Sequence, residues 1–189
     1  MNIKDYTLKI GYRIGGNCKE ESVEYALVKN GGHDGEDIRI CDFGDADHVK
    51  IVVSAKSKIE LTLAELIYDR YFENNERFFA NGFQSWTSTR EYKKRDVQYG
   101  LRSLSKLPIV RKFSGVSGDY DFTEYGKDLY HGFTYTYFRK DEKVEFVGSL
   151  NERTGYTIFY ADMKENVFAV QKDVEGLSID GEYELFDLM

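Results

Sequence analysis

Proline occurs once in the 189 residues, at Pro108, cysteine twice, at Cys18 and Cys41, and tryptophan once, at Trp86. With so little proline and no Gly- or Ser-rich run, nothing reads as a flexible linker, so one domain is expected over residues 1–189. The two cysteines stand far apart with no C-x-x-C arrangement, and a structural zinc site would need about four ligands. One disulfide is possible, but two buried thiols in a reducing cytosol is the reading that this sparse usage favours. No apolar run approaches the roughly 20 residues that span a bilayer. Basic charge is also short, with 26 Lys and Arg against 33 Asp and Glu and a net charge of −7. That balance argues against nucleic acid as a partner, because phosphate binding needs a basic face. Lys93-Lys94-Arg95 is the one compact basic cluster and reads as a solvated loop. Met1 leads into Asn2-Ile3-Lys4-Asp5-Tyr6 without a basic region and apolar stretch, so a cytoplasmic location and no membrane partner are expected.

What the chain has in quantity is aromatic residues, 15 Tyr and 13 Phe, which favour strands and bury large areas. Short alternating segments are split by turn residues, the pattern of an all-β sandwich. Strands are expected over 6–14, 23–28, 38–43, 49–54, 133–139, 144–150, 156–162, 167–172 and 183–188. Asn30-Gly31 and Gly44-Asp45-Ala46-Asp47 read as turns. Residues 61–72 mix two periods: Ile59, Leu61 and Leu63 alternate, whereas Leu63, Ile67 and Tyr71 have helical spacing. The expectation there is a strand to about Leu63, then a short helical turn. Between Gln84 and Asp128 periodicity fades into a long loop region, a length that in a compact domain usually carries function.

Several motifs dissolve on inspection. Asp42-Phe43-Gly44 copies a kinase triplet without a Gly-rich loop or an H-R-D segment, so it reads as a strand end and turn. Asp42, Asp45 and Asp47 lack the Gly and terminal Glu of a calcium loop. His33, His48 and His131 are scattered, and His131 reads as a strand-edge residue.

Phe78-Phe79-Ala80-Asn81-Gly82-Phe83-Gln84-Ser85-Trp86 places three Phe, a turn signal and the sole Trp in nine positions. An indole beside amide and hydroxyl groups suits a sugar ring, whose C–H face stacks while its hydroxyls seek directional partners. A buried aromatic turn would use the same residues. Asn81-Gly82-Phe83-Gln84-Ser85-Trp86 resembles the N-G-[YF]-Q-S-W signature in the N-terminal domain of family 36 glycoside hydrolases, the bacterial α-galactosidases. Leu129-Tyr130-His131-Gly132-Phe133-Thr134-Tyr135 is similar to the aromatic strand after the loop region of that domain. Gly148 to Phe159 and Asp173-Val174-Glu175-Gly176-Leu177 continue the likeness, which spans roughly the last two thirds of the chain.

The resemblance implies an all-β, supersandwich-like domain of two large packed, mostly antiparallel sheets. It implies that Trp86 forms a wall of the pocket for a terminal α-linked galactose, as in raffinose or melibiose. Asn81 and Gln84 are further substrate-binding candidates, whose other role would be to fix the loop. The full enzyme would be retaining, would pass through a glycosyl-aspartate and would need no metal or organic cofactor. Its catalytic residues would lie in a (β/α)₈ barrel of roughly 250 residues C-terminal to this domain, so none is expected in this chain, and the isolated 189 residues are expected to be inactive. That barrel and the α-galactoside are the expected partners, together with a possible homo-oligomer. A stand-alone carbohydrate-binding module and a purely structural or interaction domain are the alternatives.

Overall fold

The computed structural model describes residues 1–15, 24–29, 32–82, 88–98, 126–153 and 155–189. Every regular element among them is a β-strand, and the strands form two antiparallel sheets of nine and four strands, as the alternating pattern predicts. The chain gathers into two compact units. One comprises Met1–Tyr68, Gly148–Thr157 and Ala169–Met189; the other comprises Asp69–Val147 and Ile158–Phe168.

The first unit is organised on one long strand, β5 (Val49–Asp69). Before it come β1 (Thr7–Ile14), β2 (Glu24–Lys29), β3 (His33–Asp34) and β4 (Ile38–Asp42). β1 lies between β2 and the second half of β5, β4 pairs with the first half, and β3 pairs with β4. The C-terminal strand β13 (Leu177–Leu188) pairs with β5 from Val49 to Leu61. The turn expected at Gly44–Asp47 joins β4 to β5; a Cβ on Gly44 would sit 1.9 Å from the His48 carbonyl oxygen, so only glycine closes it. Asp42 anchors this corner. Its Oδ2 takes the Lys4 ammonium at 2.5 Å and the Tyr6 hydroxyl at 2.8 Å, and its Oδ1 accepts the Gly44 and Lys50 N–H groups. Asp42-Phe43-Gly44 is therefore a strand end and turn. Cys41 is a free, half-buried thiol rather than a buried one, and Cys18, like the Asn30-Gly31 turn, lies outside the described residues.

The helical turn expected after Leu63 is not there: β5 runs unbroken to Asp69. Val49, Ile51, Val53, Ala55, Ile59 and Leu61 are buried, with Ser57 exposed between them, and Ala64, Leu66 and Tyr68 are buried beyond. The phase flips at a bulge, where Gly11 of β1 faces Leu63 and the next residue, Tyr12, faces Leu61. An extra residue in one strand displaces the alternation by one position, whereas Leu63, Ile67 and Tyr71, four apart, keep an even spacing that a strand also gives: Leu63 and Ile67 are half-buried in β5 and Tyr71 lies exposed beyond it.

In the second unit, β6 (Arg77–Ala80), β7 (Arg90–Lys93), β9 (Tyr135–Lys140) and β10 (Lys143–Gly148) form a sheet in the order β10-β9-β6-β7. β8 (Leu129–Phe133) pairs with β11 (Thr157–Asp162) in the other sheet, to which β12 (Val167–Lys172) also belongs. Phe78, Tyr92 and Phe138 from the four-stranded sheet meet Tyr130, Phe159 and Phe168, all six fully or almost fully buried. Their centroids lie 4.9–6.5 Å apart in stacked, tilted and edge-on pairs, a sandwich core built of rings. Two expectations change here. β7 falls inside the stretch expected to be loop, and the strand expected over 133–139 is broken at Thr134, whose φ is +68°.

Candidate functional site

β6 sends Phe78 and Ala80 into the core and Phe79 to the outer face, following the period of a strand. At its end Asn81 turns its amide onto β8: Nδ2 donates to the Phe133 carbonyl at 2.9 Å, and the Phe133 N–H donates to Oδ1. The side chain thus pairs with β8 as a neighbouring strand would. Gly132 permits the approach, since a Cβ there would lie 2.8 Å from Asn81 Oδ1. One step along β8, Gln98 does the same for His131. Its Oε1 accepts the His131 N–H at 2.7 Å, and its Nε2 donates to the His131 carbonyl at 3.0 Å. Both Gln98 and His131 are fully buried. Two amides therefore close the edge of β8 opposite β11, and His131, expected at a strand edge, is sealed inside.

Asn81 directly follows β6 and stands two residues before the Phe83–Trp86 block in the sequence. On either side of residues 83–87, the Gly82 N–H donates to Thr89 Oγ1 at 3.2 Å and the Tyr92 hydroxyl donates to the Ser88 carbonyl at 2.8 Å. Gln84 and Trp86 themselves lie outside the described residues. Of the three residues expected to bind substrate, Asn81 is described, and its amide is engaged with β8.

The outer face of the four-stranded sheet carries a column of rings. Phe79 stacks on Tyr137 at 4.8 Å and 9° and on Tyr135 at 5.6 Å and 16°; Tyr135 stacks on Phe146 at 5.8 Å and 23°. Phe146 is 53% exposed and Tyr135 39%. At the other end of the column, Glu91 faces Phe79 across the β6–β7 pair. Arg139 clamps it with Nε on Oε1 at 2.6 Å and Nη2 on Oε2, while the Tyr137 hydroxyl donates to Oε1 at 3.1 Å. The Arg139 hydrogen bonds hold the Glu91 carboxyl below the usual carboxylate range, against burial that would raise it. Burial, with Glu91 close by, pushes the Tyr137 hydroxyl up. The group is a fixed ion pair beside apolar ring edges, suited to recognition rather than to proton transfer.

No protein-family model matches the chain, and no curated protein matches its sequence.

Among the described residues, no group of three or more His, Cys, Asp or Glu is arranged to hold a metal ion, and no helix is long and apolar enough to cross a membrane. Sequence reasoning passed over Gln98 and Glu91, both in the stretch without periodicity. The ring column left a signal in the alternating Tyr135 and Tyr137 of β9. Its register against Phe79, more than fifty residues upstream, left none.

Proposed function

We propose that this chain is the N-terminal β-domain of a cytoplasmic, retaining glycoside hydrolase acting on terminal α-galactosides, in which it supplies a pocket wall through Trp86 and packs on a catalytic barrel. The observation that supports this reading is the clamp between Asn81 and Phe133, closed against Gly132. It joins the two stretches that most resemble the α-galactosidase domain, and it anchors the chain where the Trp-bearing segment begins. A wall that must hold one orientation against a sugar needs such an anchor on a rigid strand. In this reading Asn81 fixes the loop, and hydrolysis belongs to paired carboxylates of the barrel.

Reading the source locus on both sides of the 189 codons tests this directly. An in-frame barrel of alternating strands and helices with paired aspartates is expected, and a reading frame without one overturns the proposal. The purified chain is expected to release no phenol from an aryl α-galactoside.

The exposed ring column favours a second reading, a free-standing carbohydrate-binding module. It requires a saturable, sugar-specific change in the fluorescence of Trp86, the only indole. The pocket-wall reading expects an emission that added galactose or melibiose leaves unchanged.

A further inference from the structure

β10 is the end strand of the four-stranded sheet, with β9 on one side and no described strand beyond Val144 and Phe146 on the other. Lys143 to Phe146 are all exposed, on both faces of the strand, before Val147 and Gly148 become buried. The two-residue turn at Asp141-Glu142 makes Lys143 the hydrogen-bonded partner of Lys140. Backbone groups of Lys143 and Glu145 therefore point at β9, and those of Val144 and Phe146 point away. Gly148, of the same parity as Phe146, agrees: its N–H donates to the Met189 carbonyl at 2.8 Å, and its carbonyl accepts the Met189 N–H at 3.0 Å. Sheet edges are usually blunted by charge, proline, a bulge or a cover. This one carries Val144, 54% exposed, and Phe146, which continues the outer ring column through Tyr135.

A second copy of the chain fits this edge in one register. Antiparallel pairing of β10 with its twofold mate must join even-numbered residues, because they are the ones that present backbone groups to the edge. Phe146 opposite the partner's Phe146 would set Val144 against the partner's Gly148, whose N–H and carbonyl are taken by Met189. Val144 opposite the partner's Phe146 would set Glu145 against Glu145 on one face, a like-charge pair. Val144 opposite the partner's Val144 sets Lys143 against the partner's Glu145, once on each side of the axis. Lys143 makes no ion pair among the described residues, and Glu145, held by Arg70 at 2.9 Å, stays half exposed. That register also gathers Val144 and Phe146 of both copies on the outer face, within reach of one another as direct and diagonal neighbours.

We infer that the free edge of β10 is a self-association surface, through which two copies of this chain pair β10 with β10 across a twofold axis at Val144 and join their two small sheets into one. An unrelated extended strand would meet the same backbone groups. A second copy is the partner whose charges the sequence already matches, Lys143 to Glu145 and Glu145 to Lys143. The contact is one short strand a side, at the weak end of specific interfaces, so a reversible dimer with a Kd on the order of 100 µM is expected.

Sedimentation equilibrium of the 189-residue chain, from about 10 µM to about 1 mM, tests this. A monomer–dimer equilibrium is expected, with concentration-dependent ¹H–¹⁵N shifts at Lys143–Phe146. Val144→Pro removes an N–H from the open edge and leaves the ladder to β9 whole, so the chain should stay folded while dimerisation weakens at least tenfold. Lys143→Glu sets two like-charge pairs across the axis and should weaken the dimer at least fivefold, an effect that high salt reduces. Val144→Cys should link two copies by a disulfide through position 144, located by peptide mapping because Cys18 and Cys41 are also present, whereas Phe146→Cys should not. Three results overturn the inference: a chain that is monomeric at about 1 mM, a dimer that the folded Val144→Pro variant retains, or linkage through position 146 in place of 144. None of them bears on the pocket-wall role of Trp86, which the locus and the indole fluorescence decide.

Discussion

Single residues in this chain act by standing in for missing strands. Asn81 and Gln98 each spend a whole side-chain amide on one residue of β8. Asn81→Ala leaves the Phe133 N–H and carbonyl unpaired, at a cost of about 1–3 kcal/mol for a buried orphan group; urea unfolding should show that loss, and a change below about 0.5 kcal/mol would mean the clamp is ornamental. Gln98→Ala, at a fully buried position, should cost at least as much. From sequence, Asn81 could be read as a turn residue ahead of glycine, but its partner lies 52 positions away, and nothing local announces it. Asp42 makes the matching case for charge. Burial alone would raise its pKa, yet the hydrogen bonds from Lys4, Gly44, Tyr6 and Lys50 outweigh it and hold the carboxyl below its ordinary value. A depressed carboxyl pKa stabilises the fold above the unfolded value of about 4 and loses that stabilisation as pH falls through the folded one. Asp42→Asn should therefore be less stable than the parent at pH 7, with the gap closing toward pH 2. A gap that stays constant with pH would show that the carboxylate charge contributes nothing.

At the scale of elements, period-2 alternation was readable wherever a strand kept its phase, and it misled wherever the phase broke. The bulge in β5 is the clearest instance. The buried phase changes by one residue between Leu61 and Ala64, which leaves apolar residues on both parities, and the four-residue spacing of Leu63, Ile67 and Tyr71 fits a strand as well as a helix. Thr134 has the same effect on a smaller scale: its positive φ divides one expected strand into β8 and β9. β7 went unread for a different reason, because four residues, Arg-Glu-Tyr-Lys, hold one buried ring and no alternation worth the name. The bulge carries a prediction. Deleting Thr62 would remove the extra residue and leave Leu61 opposite Tyr12, Leu63 opposite Gly11 and Ala64 opposite Ile10, so Leu61, Ala64 and Leu66 would stay on one face. All three are fully or almost fully buried, so the deletion should keep the folded state, seen as a retained cooperative transition in far-UV circular dichroism. Thr62→Ala keeps the residue count and should cost no more than about 1 kcal/mol. An unfolded deletion variant would show that the bulge itself is needed to hold the register.

For the whole chain, the class was readable and the connectivity was not. Alternation and turn residues imply strands in sheets, and strands in two sheets are what form. Which strand lies beside which depends on contacts that no local pattern encodes. β13 closes the first unit by pairing with β5, so Leu188 faces Val49 and Asp187 reaches His48 across 139 positions. Such closure requires the entropy of a long loop to be lost before any contact offsets it. Chains dominated by pairings of this kind fold in milliseconds to seconds. The hairpin from β9 to β10, by contrast, turns within two residues, Asp141 and Glu142. The order of events follows: local hairpins of the second unit first, β13 on β5 last. Phe186 is about 1% exposed in β13, and Phe186→Ala should cost about 3–5 kcal/mol. If β13 docks after the transition state, nearly all of that loss falls on the unfolding rate. Stopped-flow chevrons should then show the unfolding limb raised by at least a hundredfold and the folding limb moved by less than about threefold. A folding limb slowed in proportion to the lost stability would place β13 in the nucleus and reverse the order.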